Sequence, residues 1–320
     1  MADPPATGID DITDDLLELI ILLCVPSSAC LVRAASVCKL WRRVIAGARF
    51  LRRLRCRHAP AVAGYYYNHS LSSFDPLPSP KAGTGVDLRH MSLDFLSDMV
   101  AAAHDAKVAD SRGSLLLLEF FNPESYPGDF PDALVVCEPL TRRHRRIPPL
   151  RDINSSNNCQ FERSYLIDGE AADELGRCIS MSNFRVLCEV YRDGTSHAAL
   201  FTAGDGDGGG DAEGSWREKA IDHIFPRIDY MRRVLGRADG SWYFYNEGMA
   251  GVVLDGRTGE YSPFALPGTS DWDLHGRWSS KFDVTDGHDG KPRIVSALDN
   301  TLKVFARVGG DWVMEKKAPA

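Results

Sequence analysis

Chemistry needs particular residue types at particular spacings, and several stretches of this 320-residue chain invite inspection. The acidic, glycine-rich run from Gly204 to Gly214 resembles a calcium loop in composition. An EF-hand loop needs a third oxygen ligand where Gly209 stands and a glutamate where Trp216 stands, so the run fails at both positions. It falls between predicted strands and reads as a flexible acidic hairpin loop. His275, His288 and Asp289 are scattered through turn-like sequence without metal-ligand spacing, and residues 286–290 read as a hairpin loop. Cysteine occurs at Cys24, Cys30, Cys38, Cys56, Cys137, Cys159, Cys178 and Cys188, never as C-x-x-C, so a zinc site lacks its usual paired ligands. These are expected to be reduced, mostly packed thiols. Cys38 is expected to pack beside Trp41 in a helical core rather than to act as a nucleophile. Arg142, Arg143, Arg145 and Arg146 surround His144. They can meet an acidic ligand, but a solvated strand edge is the preferred reading, because edge charges discourage strand pairing. Thr141 and Arg142 belong in a hairpin between two strands. No G-x-x-x-x-G-K-[ST] phosphate loop and no G-x-S-x-G nucleophile elbow occurs. The chain is therefore read as a non-enzyme, with no catalytic residue, cofactor or metal assigned.

Charge divides the chain. Residues 1–58 hold nine Lys/Arg against six Asp/Glu, whereas residues 59–320 hold 28 against 38. Between Leu19 and Phe74 there is no acid, but there are nine basic residues, from Arg33 to Arg57. Such a stretch can track nucleic-acid phosphates. Its interleaving with Leu40, Trp41, Val44, Ile45, Phe50, Leu51 and Leu54 instead describes amphipathic helices with solvated basic faces. The longest apolar run, Leu16 to Val25, is ten residues interrupted by Glu18, short of the ~20 a membrane helix needs. Met1 to Asp15 carries five acids and no Lys or Arg, the wrong charge for a signal peptide. A cytosolic or nuclear location is expected, with no membrane and no nucleic-acid partner.

The elements that would position these residues fall into two parts. Thr13 can cap a first helix, about 14–24, ended at Val25-Pro26 because proline disfavours helical geometry in the preceding residue. Further helices are expected at about 29–35, 37–46 and 49–57. In the first, Leu16, Leu17, Leu19, Ile20, Ile21, Leu22 and Leu23 leave almost no polar face. A helix that is apolar all round wants burial on all sides, yet this module is close to the minimum size for a core of its own. The surplus calls for a cover: the rest of the chain or another protein.

These residues resemble an F-box. The resemblance runs over residues 10–55: Ile12-Thr13-Asp14-Asp15-Leu16-Leu17 for the L-P-x-x-L-L start, Val25-Pro26 for the second L-P, then Leu31, Val37-Cys38-Lys39-Leu40-Trp41 for V-C-x-x-W, and Phe50. Ile12-Thr13 and Val25 depart from the pattern but keep an apolar anchor. The resemblance implies a Skp-type adaptor as partner and, through it, a cullin. Leu16, Leu17, Ile20, Val25, Pro26, Leu31, Val37, Cys38 and Trp41 would form the adaptor-facing surface or its supporting core, with Trp41 and Val37 the best candidates for a purely supporting role.

After Pro60 the apolar runs shorten and turn residues recur, with Asp-Gly at 193–194, 239–240, 255–256 and 289–290. Two patterns repeat. Residues 113–148 match 240–267 in a Gly-Ser start, a Val-Val core and an apolar-Pro end. Leu200-Phe201 with Gly214-Ser215-Trp216 matches Val304-Phe305 with Gly310-Asp311-Trp312, and the two tryptophans are 96 residues apart. This reads as a propeller-like array of roughly five or six four-stranded units. Val136-Cys137-Glu138-Pro139-Leu140-Thr141-Arg142 and Ile147-Pro148-Pro149 also resemble pieces of the β-rich domain that follows the F-box in many plant F-box proteins.

The expected architecture is α+β by segments: a flexible N-terminus (1–9), an all-α F-box module (10–58) and an all-β, propeller-like domain (59–320). The expected role is a substrate-recruiting subunit of a Skp-cullin-F-box ubiquitin ligase, with a protein as its substrate. The alternatives are a propeller-fold enzyme with a helical cap and nucleic-acid binding through the arginine-rich helices. Trp272, Trp278 and Tyr261 are expected to serve packing within the β part rather than ligand binding.

Overall fold

The computed structural model describes residues 13–24, 28–57, 64–68, 70–76, 91–102, 105–122, 124–126, 128–150, 159–170, 179–204, 210–211, 214–219, 221, 233–245, 251–267, 281–287, 289–298 and 300–319. Four helices open the chain: α1 (Asp14–Cys24), α2 (Ser28–Val37), α3 (Lys39–Ala46) and α4 (Ala48–Arg57). Thr13 starts α1 as expected, its hydroxyl accepting from the Leu16 N–H at 3.4 Å. Asp14 and Asp15 sit in the first turn, where the helix dipole favours negative charge. Leu17, Ile21, Leu22, Leu31, Ala34, Val44, Ile45 and Phe50 form the core of this module. Acids of α1 pair with arginines of α3 and α4: Asp14 with Arg43 at 2.9 Å, Asp15 with Arg49 at 2.5 Å, and Glu18 with Arg53 at 2.8 Å. Part of the basic stretch is thus spent within the module, which weighs against a phosphate-tracking role.

The rest is mostly strand. A hairpin, β1 (Gly64–Tyr67) and β2 (Ser70–Pro76), precedes a 3₁₀ turn (Asp94–Leu96) and a short helix, α5 (Ser97–Ala102). Four antiparallel meanders follow. The first is β3 (Asp105–Arg112), β4 (Leu115–Phe121), β5 (Ala133–Glu138) and β6 (Arg143–Ile147). The second is β7 (Cys159–Ile167), β8 (Arg185–Arg192), β9 (Thr195–Ala203) and β11 (Gly214–Lys219); β10 (Gly210–Asp211) leaves it to lie parallel on β6. The third is β12 (Arg233–Ala238), β13 (Ser241–Tyr245), β14 (Gly251–Leu254) and β15 (Tyr261–Phe264). The fourth is β16 (Lys281–Asp286), β17 (Pro292–Leu298), β18 (Thr301–Val308) and β19 (Asp311–Pro319). The last two meanders join into one curled eight-stranded sheet through a parallel contact of Gly236 with Val284. Gly236 has φ 137°, and a Cβ there would lie 2.1 Å from the Val284 carbonyl oxygen, so only glycine allows the approach.

Successive meanders pack face to face. Leu117, Val136 and Ile147 of the first meet Leu166, Val186 and Phe201 of the second. Tyr165 and Leu187 of the second meet Phe244 and Leu254 of the third. Tyr243 and Phe264 of the third meet Ile294 and Phe305 of the fourth. The outer face of the first meander is closed by Leu93 and Leu96.

Polar groups tie the first strands of the meanders together. Arg112 of β3 reaches both carboxylate oxygens of Asp168, just after β7, at 2.6 and 2.9 Å, and the Gly240 carbonyl at 2.5 Å. Asp110 accepts from the Leu166 N–H at 2.7 Å and from Arg237 of β12 at 3.3 Å. Burial pushes the Asp110 carboxyl upward, against the pull of Arg237 and of the Leu166 and Ser111 amides. The Asp239 N–H donates to Asp286, at the end of β16, at 2.7 Å.

Several expectations meet differences. Four four-stranded units occur among the described residues, where five or six were expected. Cys38 does not pack in the core. It is exposed and caps α3, its Sγ accepting from the Trp41 N–H at 3.5 Å. Cys24 is exposed too, so the thiols are less uniformly packed than expected. Arg145 is not on a solvated edge: it is 4% exposed, and it donates to the Met181 and Gly204 carbonyls. β10 covers part of the edge that β6 was expected to leave open. Thr141 and Arg142 do lie in the β5–β6 connection, with Arg142 in the left-handed region at φ 57°. The loop expected at 286–290 joins β16 to β17, the Gly287 N–H donating to the Lys291 carbonyl at 2.8 Å; His288 lies outside the described residues.

Candidate functional site

α1 carries two stripes. Leu17 and Ile21 are buried, as are Glu18 and Leu22, and these four face the module's own core and its arginines. Leu16, Leu19, Ile20 and Leu23 are 49%, 39%, 38% and 57% exposed. Their spacing, i, i+3, i+4 and i+7, places them on one helical face. One helix therefore offers a continuous apolar strip to whatever covers it. Each Leu or Ile taken fully out of water contributes about 1.5–3 kcal/mol. The arginine pairs on Asp14, Asp15 and Glu18 fasten α1 against α3 and α4 and so hold this strip in place.

The nine residues singled out from the sequence separate by exposure. Leu16 and Ile20 lie in the exposed strip. Leu17 and Leu31 are buried, at 2% and 8% exposure, and support the module from inside. Trp41 is half-buried against the same core, in keeping with a supporting role. Val37, expected to support, is instead 67% exposed at the end of α2. Cys38 is the exposed cap of α3. Val25 and Pro26 lie outside the described residues. Leu19 and Leu23 belong to the strip but were not among the nine; their i+3 and i+7 spacing from Leu16 is the signal that finds them.

The β part holds a cavity of about 400 Å³ beside Phe130 and Phe161. Among the described residues, no group of three or more His, Cys, Asp or Glu side chains is placed to hold a metal ion. Nor, among them, is any helix long and apolar enough to cross a membrane. Tyr261 is half-buried and donates to the Glu189 carboxylate, a packing role as expected. Trp272 and Trp278, like His275 and most of the acidic run after Gly204, lie outside the described residues.

No protein-family model matches the chain, and no curated protein matches it.

Proposed function

We propose that this chain is the substrate-recruiting F-box subunit of a Skp-cullin-F-box ubiquitin ligase, with a propeller-like β domain. The observation that carries the reading is the strip Leu16, Leu19, Ile20 and Leu23, which is exposed on a helix whose opposite face already serves a packed core. A small helical module gains most from such a strip when a partner covers it. The F-box resemblance places an adaptor on this helix and supplies the partner. Four meanders packed in series, each beginning with a strand bound to its neighbour's, support the propeller-like reading of the β part.

The mechanism needs no catalytic residue in this chain. Holding adaptor and target in one assembly raises the target's effective concentration at the conjugating enzyme, which performs the chemistry. The ion pairs within the helical module favour this reading over nucleic-acid binding, because they occupy arginines that phosphate contacts would need. Co-expression with a Skp-type adaptor, followed by size-exclusion chromatography in moderate salt, tests the proposal. A stable one-to-one complex is the expected outcome. A chain that elutes as a monomer in the presence of adaptor would overturn it.

A further inference from the structure

The described residues of the connection between β4 and β5 form no helix or strand, yet several hydrogen bonds hold them. The Tyr126 N–H donates to the Asp129 carboxylate at 2.6 Å, and the Asp129 N–H returns to the Tyr126 carbonyl at 3.0 Å. The Asp132 N–H donates to the Phe120 carbonyl at 2.8 Å, and the Phe161 N–H to the Gly128 carbonyl at 2.7 Å. This loop holds Phe130 against Phe161, with ring centroids 5.8 Å apart. Across from it, the Pro148 carbonyl accepts from Trp216 Nε1 at 2.9 Å, which fixes the turn after β6.

Between the two lies the cavity of about 400 Å³, lined by Phe130, Pro131, Pro148, Pro149, Leu150 and Phe161 among others. That volume is within the ordinary range of ligand clefts, ~300–1,000 Å³. A second concavity, of about 330 Å³, adjoins it through Phe130 and Asp132 and brings Glu124 and Asp129 to its rim. Tyr126, in the same loop, is 77% exposed. Among the described residues, the Arg146 guanidinium donates to the Asp132 carbonyl at 3.4 Å, and Arg192, which is paired with Glu218 at 2.8 Å, acts on Cys159 of the second concavity. Glu124, Asp129 and Asp132 outnumber these two cations. A slot walled in part by Phe130, Phe161 and prolines, beside an acidic rim, selects a ligand with an apolar group next to a positive charge.

We propose that this groove binds an extended protein segment carrying a lysine or arginine next to an apolar side chain. The apolar side chain enters between Phe130 and the Pro148-Pro149 turn, and the cation meets Glu124 and Asp132. Asp129 is bound to the loop's own backbone and positions the rim. The proposal goes beyond the ligase reading, since it concerns peptide binding by the β part whether or not an adaptor is present.

The test uses the full chain without adaptor and two pools of fluorescein-labelled synthetic peptides, alike except for a central Leu-Lys-Phe or Leu-Glu-Phe, read by fluorescence polarisation. The lysine pool is expected to bind about tenfold more tightly at low salt, since two rim ion pairs and the avoided repulsion each contribute a few-fold. The variant E124K with D132K should reverse the preference, a result that loss of folding cannot imitate. Should that variant unfold, E124Q with D132N should abolish the preference without reversing it. Absence of binding by either pool, equal binding of both, or a preference unchanged in the variants would overturn the proposal. Each of these failures leaves the adaptor experiment unaffected.

Discussion

Arg112 is held from two sides, by both oxygens of Asp168 and by the Gly240 carbonyl, and both members of the pair have side chains only 9% exposed. Removing one partner strands a buried charge. Asp168→Asn or Arg112→Met is therefore expected to cost about 3–5 kcal/mol in urea unfolding; a loss below about 1 kcal/mol would contradict the bracing role. Glu138 titrates in the opposite sense to Asp110. Burial alone would raise its carboxyl, but hydrogen bonds from Ser114, Thr141 and Arg143 outweigh burial and hold it low. Its folded value lies below the unfolded one, so its contribution is complete above the ordinary glutamate range near ~4.3 and is lost as pH falls through the folded value. The stability gap between wild type and Glu138→Gln should accordingly be flat at neutral pH and shrink in acid. Burial pushes the Cys137 thiol up to about 12 and raises Cys188 as well, whereas Cys24 and Cys38 are exposed. Iodoacetamide at mildly alkaline pH should label Cys24 and Cys38 in the native protein, and Cys137 and Cys188 only on unfolding. Residue-scale roles were the hardest to read in advance. Cys38 looked like core because it precedes Trp41 by three residues in a predicted helix, yet its position just before α3 makes it a cap. Arg145 looked solvated because its neighbours are basic, and only the fold brings the Met181 carbonyl to it.

Among the elements, α1 was legible to the residue, because Thr13 marks its start and Val25-Pro26 its end. β4, β13 and β14 are plain in the sequence as well, since each is a largely apolar run flanked by turn residues. β3, β6, β7, β12 and β16 are not. They carry charges, some of which the fold uses internally, such as Asp110 and Arg237, so none reads as a continuous apolar run. The two stripes of α1 also make separable expectations. Leu17→Ala empties a buried site and should cost about 2–5 kcal/mol of helical-module stability. Leu16→Ala, on the exposed strip, should stay within about 0.5 kcal/mol of wild type. Equal losses at the two positions would mean that the strip is covered within the chain.

The repeated sequence patterns become intelligible in the whole molecule. The first falls on the first and third meanders and the second on the second and fourth. Trp216 and Trp312 occupy last strands two units apart, which accounts for their 96-residue separation. Among the described residues there are four such units, where about 260 residues at ~40–50 per unit suggested five or six. The third and fourth meanders meet where Gly236 passes Val284, so Gly236→Val should weaken the fourth meander first, seen as early amide exchange in β16 and β17. At the helical module, the proposal is that an adaptor covers the exposed strip of α1. Its most direct test is calorimetric titration of a Skp-type adaptor into the wild-type chain and into Leu16→Asp with Ile20→Asp, both confirmed folded by circular dichroism. Tight one-to-one binding by the wild type and loss of at least about a hundredfold in the variant is the predicted result. Unchanged affinity in a folded variant would contradict the account.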